Sequence, residues 1–587
     1  MQPSQPLIDF RNTNTVWASI LVETLWRSGL RRAILCPGSR STPLTIAFTR
    51  HHAIESIPVL DERSAAFFAL GLAKQSAIAT ALVCTSGTAG ANFYPAAIEA
   101  RESRVPLLVL TADRPPELRD CHAGQAIDQV KFYGDYPNWY AELATPSLDR
   151  SLLQYLRETA IRAWRHTLFP VPGPVHLNLP FRDPLAPLPQ PEAAALAPDF
   201  DAEGFFASIR PPQRPQWELS DVAIASVLSQ WQPCDRGVIV AGVAQPPDPQ
   251  GYCEAIAILS QTLGWPVLAE ALSPLRNFAR LNPYLISTYD PILRHPTHAD
   301  RLKPEMVVQI GPLPTSKVLR SWLASAQAQH WIVDPGDRNL NPLHDRAVHL
   351  PTAIEALAAR RSPASTPPLP SAYLKTWLDL EREGRSRLDE TMASLDGAIE
   401  PKAAWLLSQV LPPATPLFIA NSMPVRDLEW FWSPGNRHVR PFVNRGANGI
   451  DGTLSTALGI CHGDRPGVLL TGDLAFLHDT NGLLMSRQFV GHLTVILINN
   501  NGGGIFEMLP IAQFDPPFET FFATPQAVDF GPLCTAYGIE YQAIATWTQL
   551  EALLHSLPDR GIRLLEVRTD RRHDTLWRRD CLRKLFF

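Results

Sequence analysis

The chain alternates short continuous apolar runs with longer segments whose apolar residues recur every three or four positions. In the first third the runs are RRAILC, TALVC and PLLVLTAD, and DERSAAFFALGLAKQS carries the longer spacing. Runs of the first kind are typical of strands buried on both faces of a parallel sheet, and the longer spacing predicts helices that cover them. The pattern returns in the middle third with GVIVA, PVLAEAL, MVVQI and HWIVD, and in the last third with PLFIA, GVLLTGD, LTVILINN and RLLEV. The sequence therefore predicts an α/β fold of three doubly wound domains with mainly parallel sheets.

Proline marks the boundaries between these regions. The chain holds 56 prolines among 587 residues, about twice the usual share. Eight of them fall in 184–215 and four in 362–370, where they disfavour regular helices and central strands. We therefore predict an N-terminal domain over 1–185, a proline-rich linker over 186–216, a middle domain over 217–361, a second linker over 362–371 and a C-terminal domain over 372–587.

Composition excludes several classes of protein. Lys and Arg number 52 against 57 Asp and Glu, a net charge of -5, which lacks the strongly basic face of a nucleic-acid binder. No stretch approaches the roughly 18 consecutive apolar residues of a membrane-spanning helix, and the N-terminus has no basic segment before an apolar run, as a secretory signal would. The eight cysteines form no C-x-x-C pair, so we expect neither a zinc site nor a disulfide framework. These features favour a soluble cytoplasmic protein without stable membrane insertion.

Polar residues follow two apolar runs of the last third. Gly472 and Asp473 end one run, and Asn499, Asn500 and Asn501 end the next. Asp473 and Asn500 are one strand–helix–strand unit apart, so we expect their side chains to meet at neighbouring strand ends, where such sheets bind ligands. A carboxylate, a carboxamide oxygen and a nearby carbonyl are hard oxygen ligands that suit Mg²⁺ on a phosphate. The alternative is an Asx-rich turn without a ligand.

Gly-Asp followed at this distance by Asn-Asn resembles the cofactor motif of thiamin-diphosphate-dependent enzymes. The resemblance implies that Asp473, Asn500 and the carbonyl of Gly502 hold Mg²⁺ or Mn²⁺, which bridges the cofactor's diphosphate. The sequence departs from the common motif at Leu474, where most of these enzymes have glycine.

Longer segments point to one branch of this superfamily. The N-terminal region contains LCPGSRSTPLT, DERSAAFFALGLA, TSGTAGANFYPAAIEA and LTADRPPELRD. The C-terminal region contains ANSMPVRD, NRGANGIDGTLST, TGDLAFLHDTNGL and NNNGGGIFEMLP, and the middle region VVQIGPLPTSKVLRSW and HWIVDP. In this order they resemble the MenD family, the 2-succinyl-5-enolpyruvyl-6-hydroxy-3-cyclohexene-1-carboxylate synthases. The resemblance makes the three domains pyrimidine-binding, transhydrogenase-like and diphosphate-binding.

The resemblance also implies a reaction. The enzyme would decarboxylate 2-oxoglutarate and add the succinyl-semialdehyde carbanion to isochorismate in a 1,4-addition, in menaquinone or phylloquinone biosynthesis. By this resemblance, Glu62 matches the acid that exchanges a proton with the aminopyrimidine ring. Without the resemblance, it would be interpreted as an ordinary acid at the start of a helix. Because Glu62 and Asp473 lie in different domains and the family's site forms between subunits, we expect a homodimer or a dimer of dimers.

Both implied substrates are polyanions, and planar arginine side chains suit carboxylates better than lysine does. The residues predicted as catalytic are Glu62, Arg40, Arg114, Gln125, Arg426 and Arg445. The predicted substrate contacts are these arginines and Gln125 with Ser39, Lys317, Ser422, Ile505 and Phe506. The predicted cofactor contacts are Glu62, Ser422, Asp473, Asn500, Gly502, Ile505 and Ile450, the last as the wedge that bends the cofactor. In HAGQ, Gly124 replaces the family's usual Asn, so one substrate contact is expected to be missing or supplied elsewhere.

Two alternatives remain at this point. Another thiamin-diphosphate decarboxylase or an acetohydroxyacid synthase would carry Gly-Asp-Gly, and such synthases often hold FAD in the middle domain. The segment VIVAGVAQPP has one glycine after its strand and is a poor dinucleotide loop. A non-catalytic scaffold on the same fold would be expected to lose Glu62 or Asp473, and both are present.

Overall fold

The computed structural model describes residues 7–213, 219–359, 369–463 and 465–586. Its strands form three sheets of six strands each. The strands of the first sheet are β1 (Arg32–Leu35), β2 (Glu55–Pro58), β3 (Thr80–Cys84), β4 (Leu107–Asp113), β5 (Trp139–Glu142) and β6 (Pro174–Pro180). The helices of this region are α1 (Thr13–Ser28), α2 (Thr42–Arg50), α3 (Glu62–Ser76), α4 (Tyr94–Glu102), α5 (Arg150–Leu168), α6 (Pro191–Leu196) and α7 (Ala202–Phe206).

The second sheet belongs to the middle region. Its strands are β7 (Gly237–Ala241), β8 (Val267–Ala269), β9 (Leu285–Ile286), β10 (Met306–Ile310), β11 (Gln329–Val333) and β12 (Ala347–Leu350). The helices here are α8 (Asp221–Trp231), α9 (Pro249–Leu263), α10 (Tyr289–Arg294), α11 (Pro296–Arg301), α12 (Lys317–Ala326) and α13 (Ile354–Ala359).

The third sheet lies in the last region. Its strands are β13 (Pro416–Ile419), β14 (Arg440–Phe442), β15 (Gly467–Gly472), β16 (His492–Asn499), β17 (Glu540–Ala543) and β18 (Gly561–Arg568). The helices are α14 (Ala372–Ala393), α15 (Glu400–Val410), α16 (Met423–Phe431), α17 (Thr453–Cys461), α18 (Asp473–His478), α19 (Gly504–Glu507), α20 (Phe530–Tyr537), α21 (Trp547–Leu554) and α22 (Arg571–Lys584).

The strand order is β2-β1-β3-β4-β6-β5 in the first sheet, β12-β11-β10-β7-β8-β9 in the second and β14-β13-β15-β16-β18-β17 in the third. All the pairings within these sheets are parallel. The central strands are fully buried apolar runs, as expected where helices cover both faces. The predicted α/β class with mainly parallel sheets is confirmed.

The chain divides into two compact units. The first comprises Met1–Pro215, Asn444–His462 and His478–Val490, and the second Gln216–Val443, Gly463–Leu477 and Gly491–Phe587. Two segments of the predicted C-terminal domain thus group with N-terminal residues. The predicted domain and linker boundaries stay predictions. The described part of the first linker carries α6 and α7, and 362–368 of the second linker lie outside the described residues.

Two glycines allow α3 and α17 to cross closely within the first unit. A Cβ atom at Gly71 would lie 2.1 Å from the carbonyl oxygen of Thr456, and one at Gly459 would lie 2.2 Å from that of Phe68. Only glycine permits two helix backbones to approach this closely. Because α3 begins at Glu62, the crossing anchors the helix that carries this candidate acid.

Gly71→Ala is expected to destabilise the fold by about 2 kcal/mol or more, because the added methyl group meets backbone atoms that cannot rotate away. A lowered melting temperature in scanning calorimetry would show it. Gly397→Ala is the matched control, since no atom lies within 4 Å of a Cβ built there. Equal melting temperatures for the two variants would contradict the close crossing.

Among the described helices, we find none with the length and apolar character that crossing a bilayer requires.

Candidate active site

One group of predicted residues lies at an edge of the first sheet, in the first unit. Ser39 and Arg40 follow β1, Glu62 follows β2 and Arg114 follows β4, and Ser86, which was not predicted, follows β3. These four strands are neighbours in the order β2-β1-β3-β4. The structure therefore brings these residues to the carboxyl ends of adjacent parallel strands, where such sheets bind ligands.

Glu62 is the first residue of α3 and is half-buried. The N-cap residue Asp61 accepts a hydrogen bond from the backbone N–H of Ser64 at 3.0 Å. Burial raises the pKa of Glu62, and the neighbouring Asp61 carboxylate raises it further. Burial also raises the pKa values of the Cys36 and Cys84 thiols, and the charge of Glu62 adds to both effects, so Glu62 lies near both strand ends. A carboxyl group with a raised pKa suits proton exchange near neutral pH.

Two arginines follow strands of this sheet at the same, carboxyl-terminal end. Arg40 is 6% exposed, its Nη1 donates to the carbonyl of Phe181 at 2.8 Å, and its buried Nε has no hydrogen-bond partner. Arg114 donates to Oγ of Ser86 at 3.1 Å and to the carbonyl of Gly124 at 2.9 Å. Burial lowers the pKa of Arg40, and the positive charge of Arg114 lowers it further. Arg40 also lies 3.9 Å from the exposed carboxylate of Asp183. A buried guanidinium group with an unsatisfied donor is suited to bind a further carboxylate.

Ser39 and Gln125 are both exposed. Ser39 directly precedes Arg40, and Gln125 shares Ser86 as a hydrogen-bond partner with Arg114. Gln125 Nε2 donates to the carbonyl of Ser86 at 2.9 Å, and its backbone φ is 60°. A Cβ atom at Gly124 would meet nothing within 4 Å. The position where the family's usual Asn is absent is therefore open, and its carbonyl serves as an acceptor for Arg114.

Arg445 and Ile450 are half-buried in the loop that precedes α17. The backbone N–H groups of Gly446 and Ala447 donate to the carboxylate of Glu99 at 3.1 and 2.7 Å. Glu99 lies on α4, so this carboxylate holds the loop against the N-terminal part of the same unit. The structure thus places Arg445 and Ile450 in the same unit as Glu62.

A second group of predicted residues lies in the second unit, at the ends of the neighbouring strands β15 and β16. Asp473 is 5% exposed, and its two oxygens accept from the N–H groups of Gly502 and Leu474, each at 2.8 Å. Asn500 is 7% exposed, and its Nδ2 donates to Glu400 at 3.4 Å. Its Oδ1 is buried and has no hydrogen-bond partner.

These residues fit a divalent cation. A buried oxygen without a donor, such as Oδ1 of Asn500, is satisfied when a cation binds to it. Burial raises the pKa of Asp473 to about 6, and the charge of Glu400 contributes, as expected for a buried carboxylate without a compensating cation. Gly502 has a φ of 140°, and a Cβ there would lie 2.5 Å from the carbonyl oxygen of Ala523. Only glycine therefore allows this loop its course.

The described residues contain no group of three or more His, Cys, Asp or Glu side chains that could hold a metal ion. The set at β15 and β16 is of another kind, since it would combine one carboxylate, one carboxamide oxygen and the carbonyl of Gly502, which accepts from Gly504 N–H at 3.0 Å. Such a set leaves the remaining positions of Mg²⁺ to phosphate oxygens and water.

Four more predicted residues lie in the second unit. Ser422 precedes α16, has a φ of 71°, and its carbonyl accepts from Nη1 of Arg426 at 2.5 Å. A positive φ in a residue other than glycine is strained and is common at functional sites. Ile505 and Phe506 lie in α19, directly after the Gly502 loop, and the Phe506 ring is 5.8 Å from that of Phe522.

Lys317 stands apart from the other predicted residues. It is exposed at the first position of α12, where it lines an open groove of about 640 Å³ with Arg294 and Trp322. Within the described ranges, no hydrogen bond or ion pair connects Lys317 to another predicted site residue.

Sequence reasoning missed Ser86, which supports Arg114 and Gln125, and Glu400, which contacts Asn500. Ser86 follows the apolar run TALVC, in a Ser-Gly-Thr turn. Its place at a predicted strand end could have identified it as a candidate site residue. Glu400 lies 100 residues before Asn500, and a glutamate at a helix start carries no sign of such a contact.

The raised pKa of Asp473 predicts competition between protons and the cation. Below pH 6 we expect the apparent affinity for Mg²⁺ to fall about tenfold per pH unit, because the ligand must be ionised. Above pH 6 the affinity is expected to level off. Tryptophan fluorescence titrations with Mg²⁺ and thiamin diphosphate, corrected for Mg²⁺ binding to the free cofactor, would measure this. Equal midpoints at low and neutral pH would contradict it.

In the metal-free protein the same pKa acts on stability. In the unfolded chain Asp473 loses its proton near its ordinary pKa of 3.8, whereas in the folded protein it keeps the proton up to a pKa of about 6. The free energy of unfolding is therefore expected to fall as the pH rises from about 4 to about 6.

Comparisons with known proteins identify the family of each region of the chain. The family described as "Thiamine pyrophosphate enzyme, N-terminal TPP binding domain" matches residues 16–132. "Middle domain of thiamine pyrophosphate" matches 209–419, and "Thiamine pyrophosphate enzyme, C-terminal TPP binding domain" matches 431–567. The predicted membership of the thiamin-diphosphate-dependent enzymes is confirmed.

Several relatives match along the whole chain, and each is named 2-succinyl-5-enolpyruvyl-6-hydroxy-3-cyclohexene-1-carboxylate synthase. Those of Gloeothece citriformis and Trichormus variabilis are each 59% identical over 577 residues, covering 98% of this chain and 99% and 98% of their own. That of Acaryochloris marina is 56% identical over 587 residues, covering 98% of this chain and 100% of its own. With identity of this extent over its whole length, the chain belongs to the family of 2-succinyl-5-enolpyruvyl-6-hydroxy-3-cyclohexene-1-carboxylate synthases.

Proposed function

We propose that the protein is a thiamin-diphosphate-dependent synthase that joins 2-oxoglutarate, with loss of CO₂, to isochorismate. The observation that carries this proposal is the 59% identity over 98% of the chain to relatives named for the product, 2-succinyl-5-enolpyruvyl-6-hydroxy-3-cyclohexene-1-carboxylate. The paired arginines at the first sheet and the oxygen ligands at the third support it. A scaffold without activity would have no need of Glu62 or of an unsatisfied buried oxygen on Asn500.

The proposed cofactor contacts are the residues that the sequence predicted for this role. Thiamin diphosphate, when bound, supplies the carbon nucleophile and the electron sink for decarboxylation. Asp473, Asn500 and the Gly502 carbonyl would hold Mg²⁺ or Mn²⁺ at the diphosphate, and Glu62 would exchange a proton with the aminopyrimidine ring. Ser422, Ile450 and Ile505 would complete the cofactor contacts.

For the substrates, we propose that the carboxylates bind to the arginines. Arg40, Arg114 and Arg445 belong to the same unit, and the charge of Arg114 acts on Arg40, whereas Arg426 lies in the other unit. The further proposed contacts are Ser39, Gln125, Lys317, Ser422, Ile505 and Phe506. Two substrates that bind in sequence are expected to depend on different members of this set.

Arg40→Ala and Arg114→Ala are expected to raise the same Michaelis constant, and Arg426→Ala mainly the other. Each lost charge-assisted contact should cost about ten- to a hundredfold in apparent affinity. Steady-state kinetics in which 2-oxoglutarate and isochorismate are varied separately would measure this. Arg382→Ala is the control, because its side chain is 76% exposed. If every variant raised both constants equally, the division between the substrates would be wrong.

The activity itself is tested with the purified full-length protein, thiamin diphosphate and Mg²⁺. Isochorismate should disappear only when 2-oxoglutarate is present, and the product mass should equal the sum of the substrates less CO₂. Incubation with pyruvate alone tests the acetohydroxyacid synthase alternative. Acetolactate formation from pyruvate would overturn the proposal, and so would a lack of turnover with 2-oxoglutarate and isochorismate together.

The family resemblance further supports a homodimer or a dimer of dimers, a cytoplasmic location and a role in menaquinone or phylloquinone biosynthesis. These remain proposals, and the subunit arrangement is tested by the mixing experiment described in the Discussion.

A further inference from the structure

A buried cluster of charges adjoins the candidate metal site within the second unit. Arg578 on α22 is 1% exposed and binds both oxygens of Asp427, from Nε at 2.6 Å and from Nη2 at 2.7 Å. The same Nη2 donates to Oε2 of Glu400 at 2.6 Å. Asp574, one turn earlier on α22, is also buried and accepts from the backbone N–H of Glu400 at 3.4 Å. One guanidinium group therefore balances part of the charge of three carboxylates.

Glu400 connects this cluster to Asn500. Its Oε2 accepts from Nη2 of Arg578 and from Nδ2 of Asn500, the latter at 3.4 Å. A carboxylate only accepts hydrogen bonds, so Glu400 selects the amide nitrogen of Asn500 and turns Oδ1 the other way. That Oδ1 is buried and has no hydrogen-bond partner.

We propose that Glu400, held in place by Arg578, is a positioning residue that sets the orientation of the Asn500 carboxamide, so that Oδ1 and not the amino group meets the divalent cation. The inference rests on the proposed function, because it requires a cation at Asp473, Asn500 and the Gly502 carbonyl. A carboxamide has nearly the same shape in both orientations, and only its hydrogen-bond partners distinguish them. Residues that hydrogen-bond to a metal ligand orient it, and their loss commonly lowers the metal affinity about ten- to a hundredfold.

The cluster also reaches the proposed substrate residues of this unit. Asp427 directly follows Arg426 on α16, and Arg578 holds it with two hydrogen bonds. The guanidinium group that orders Glu400 thus also anchors the helix that carries Arg426.

Glu400→Gln tests the inference with the smallest change of shape. Glutamine can turn either its oxygen or its amino group to Asn500, so the carboxamide loses its constraint. The Mg²⁺ concentration at half-saturation of thiamin diphosphate binding is expected to rise about ten- to a hundredfold. Tryptophan fluorescence or calorimetry without substrates, at pH 8, measures it independently of turnover. Arg578 keeps Asp427 in this variant, so the metal-free protein is expected to fold with a nearly unchanged melting temperature.

Asp574→Asn is the matched control. It removes a carboxylate from the same cluster and leaves the contact between Glu400 and Asn500 in place. If the orientation of Asn500 matters more than the total charge, the Mg²⁺ concentration at half-saturation should change by no more than about twofold in Asp574→Asn. This is the effect expected from losing one charge that does not bind the metal.

A double substitution supplies a rescue that a merely structural role would not produce. Asn500→Asp alone places a second carboxylate beside Glu400, so binding should be weak in spite of the charged ligand. With Glu400→Gln added, the glutamine can donate to Asp at position 500, and the double variant should bind Mg²⁺ more tightly than either single variant.

The outcomes separate this inference from the proposed function. A midpoint unchanged in Glu400→Gln, an equal rise in Glu400→Gln and Asp574→Asn, or no rescue in the double variant would overturn the inference alone. If the unaltered protein bound thiamin diphosphate without any dependence on Mg²⁺, the proposed metal site and this inference would both be overturned.

Discussion

Asp473→Ala is expected to abolish retention of thiamin diphosphate, with binding weakened by more than about a hundredfold. Asp473 is the only carboxylate among the three proposed ligands, so without it the cation that would balance the negative diphosphate loses its one charged ligand. Equilibrium dialysis or calorimetry at micromolar cofactor and millimolar Mg²⁺ measures the loss.

The fold is expected to survive this substitution. Burial raises the pKa of Asp473 to about 6, which means that its charged form destabilises the metal-free protein above that pH. The melting temperature without cofactor should therefore stay close to that of the unaltered protein. Asp580→Ala, at a half-exposed side chain on α22, is the control and should retain cofactor. Normal cofactor occupancy in Asp473→Ala would refute the metal assignment.

Glu62→Gln is expected to bind cofactor and substrates but to lose turnover by about 100- to 10,000-fold, the usual worth of a general acid or base. The amide cannot exchange the proton that the aminopyrimidine ring requires. Hydrogen–deuterium exchange at the reactive thiazolium carbon of the bound cofactor, followed by NMR after acid quench, reports on this step directly.

Asp61→Asn is the matched control for Glu62→Gln. It removes a carboxylate one residue away and keeps an oxygen for the cap bond to Ser64 N–H. Because burial, and not the charge of Asp61, is the main cause of the raised pKa of Glu62, the exchange rate should fall far less than in Glu62→Gln. If Glu62→Gln exchanged at the normal rate, Glu62 would have no part in the mechanism.

The two inactive variants together test the proposed dimer. If each site takes Glu62 from one subunit and Asp473 from another, co-expressed Asp473→Ala and Glu62→Gln chains should recover about one quarter of normal activity, since half the dimers are mixed and hold one intact site of two. A site built from a single chain would recover none.

Much of the architecture could be predicted from local patterns. The runs that end at Leu35, Cys84, Asp113, Gly472 and Asn499 are strands, because long apolar runs have no other place than a sheet covered on both sides. β6 was missed because His176 and Asn178 interrupt its apolar run. Both have distant partners, since Thr111 bonds to Nε2 of His176 and to Oδ1 of Asn178, and Gln129 also donates to Asn178. β9 and β14 were missed because two or three residues carry no period.

For the candidate site too, some features could be predicted from the sequence and others depend on the tertiary structure. By itself, the sequence determined that Asp473 and Asn500 would end neighbouring strands, because one strand–helix–strand unit in a parallel sheet leads to the adjacent strand. Arg40 and Arg114 likewise follow two of the strand-like runs, RRAILC and PLLVLTAD. The tertiary structure alone decided which side chains support them, since hydrogen bonds between residues far apart in sequence leave no local pattern. Examples are the contact of Glu400 with Asn500, the hydrogen bonds of Glu99 to the loop before α17 and the hydrogen bond of Arg114 to Ser86. Each depends on which elements pack together, and packing depends on the surfaces of whole helices and sheets and not on any single segment.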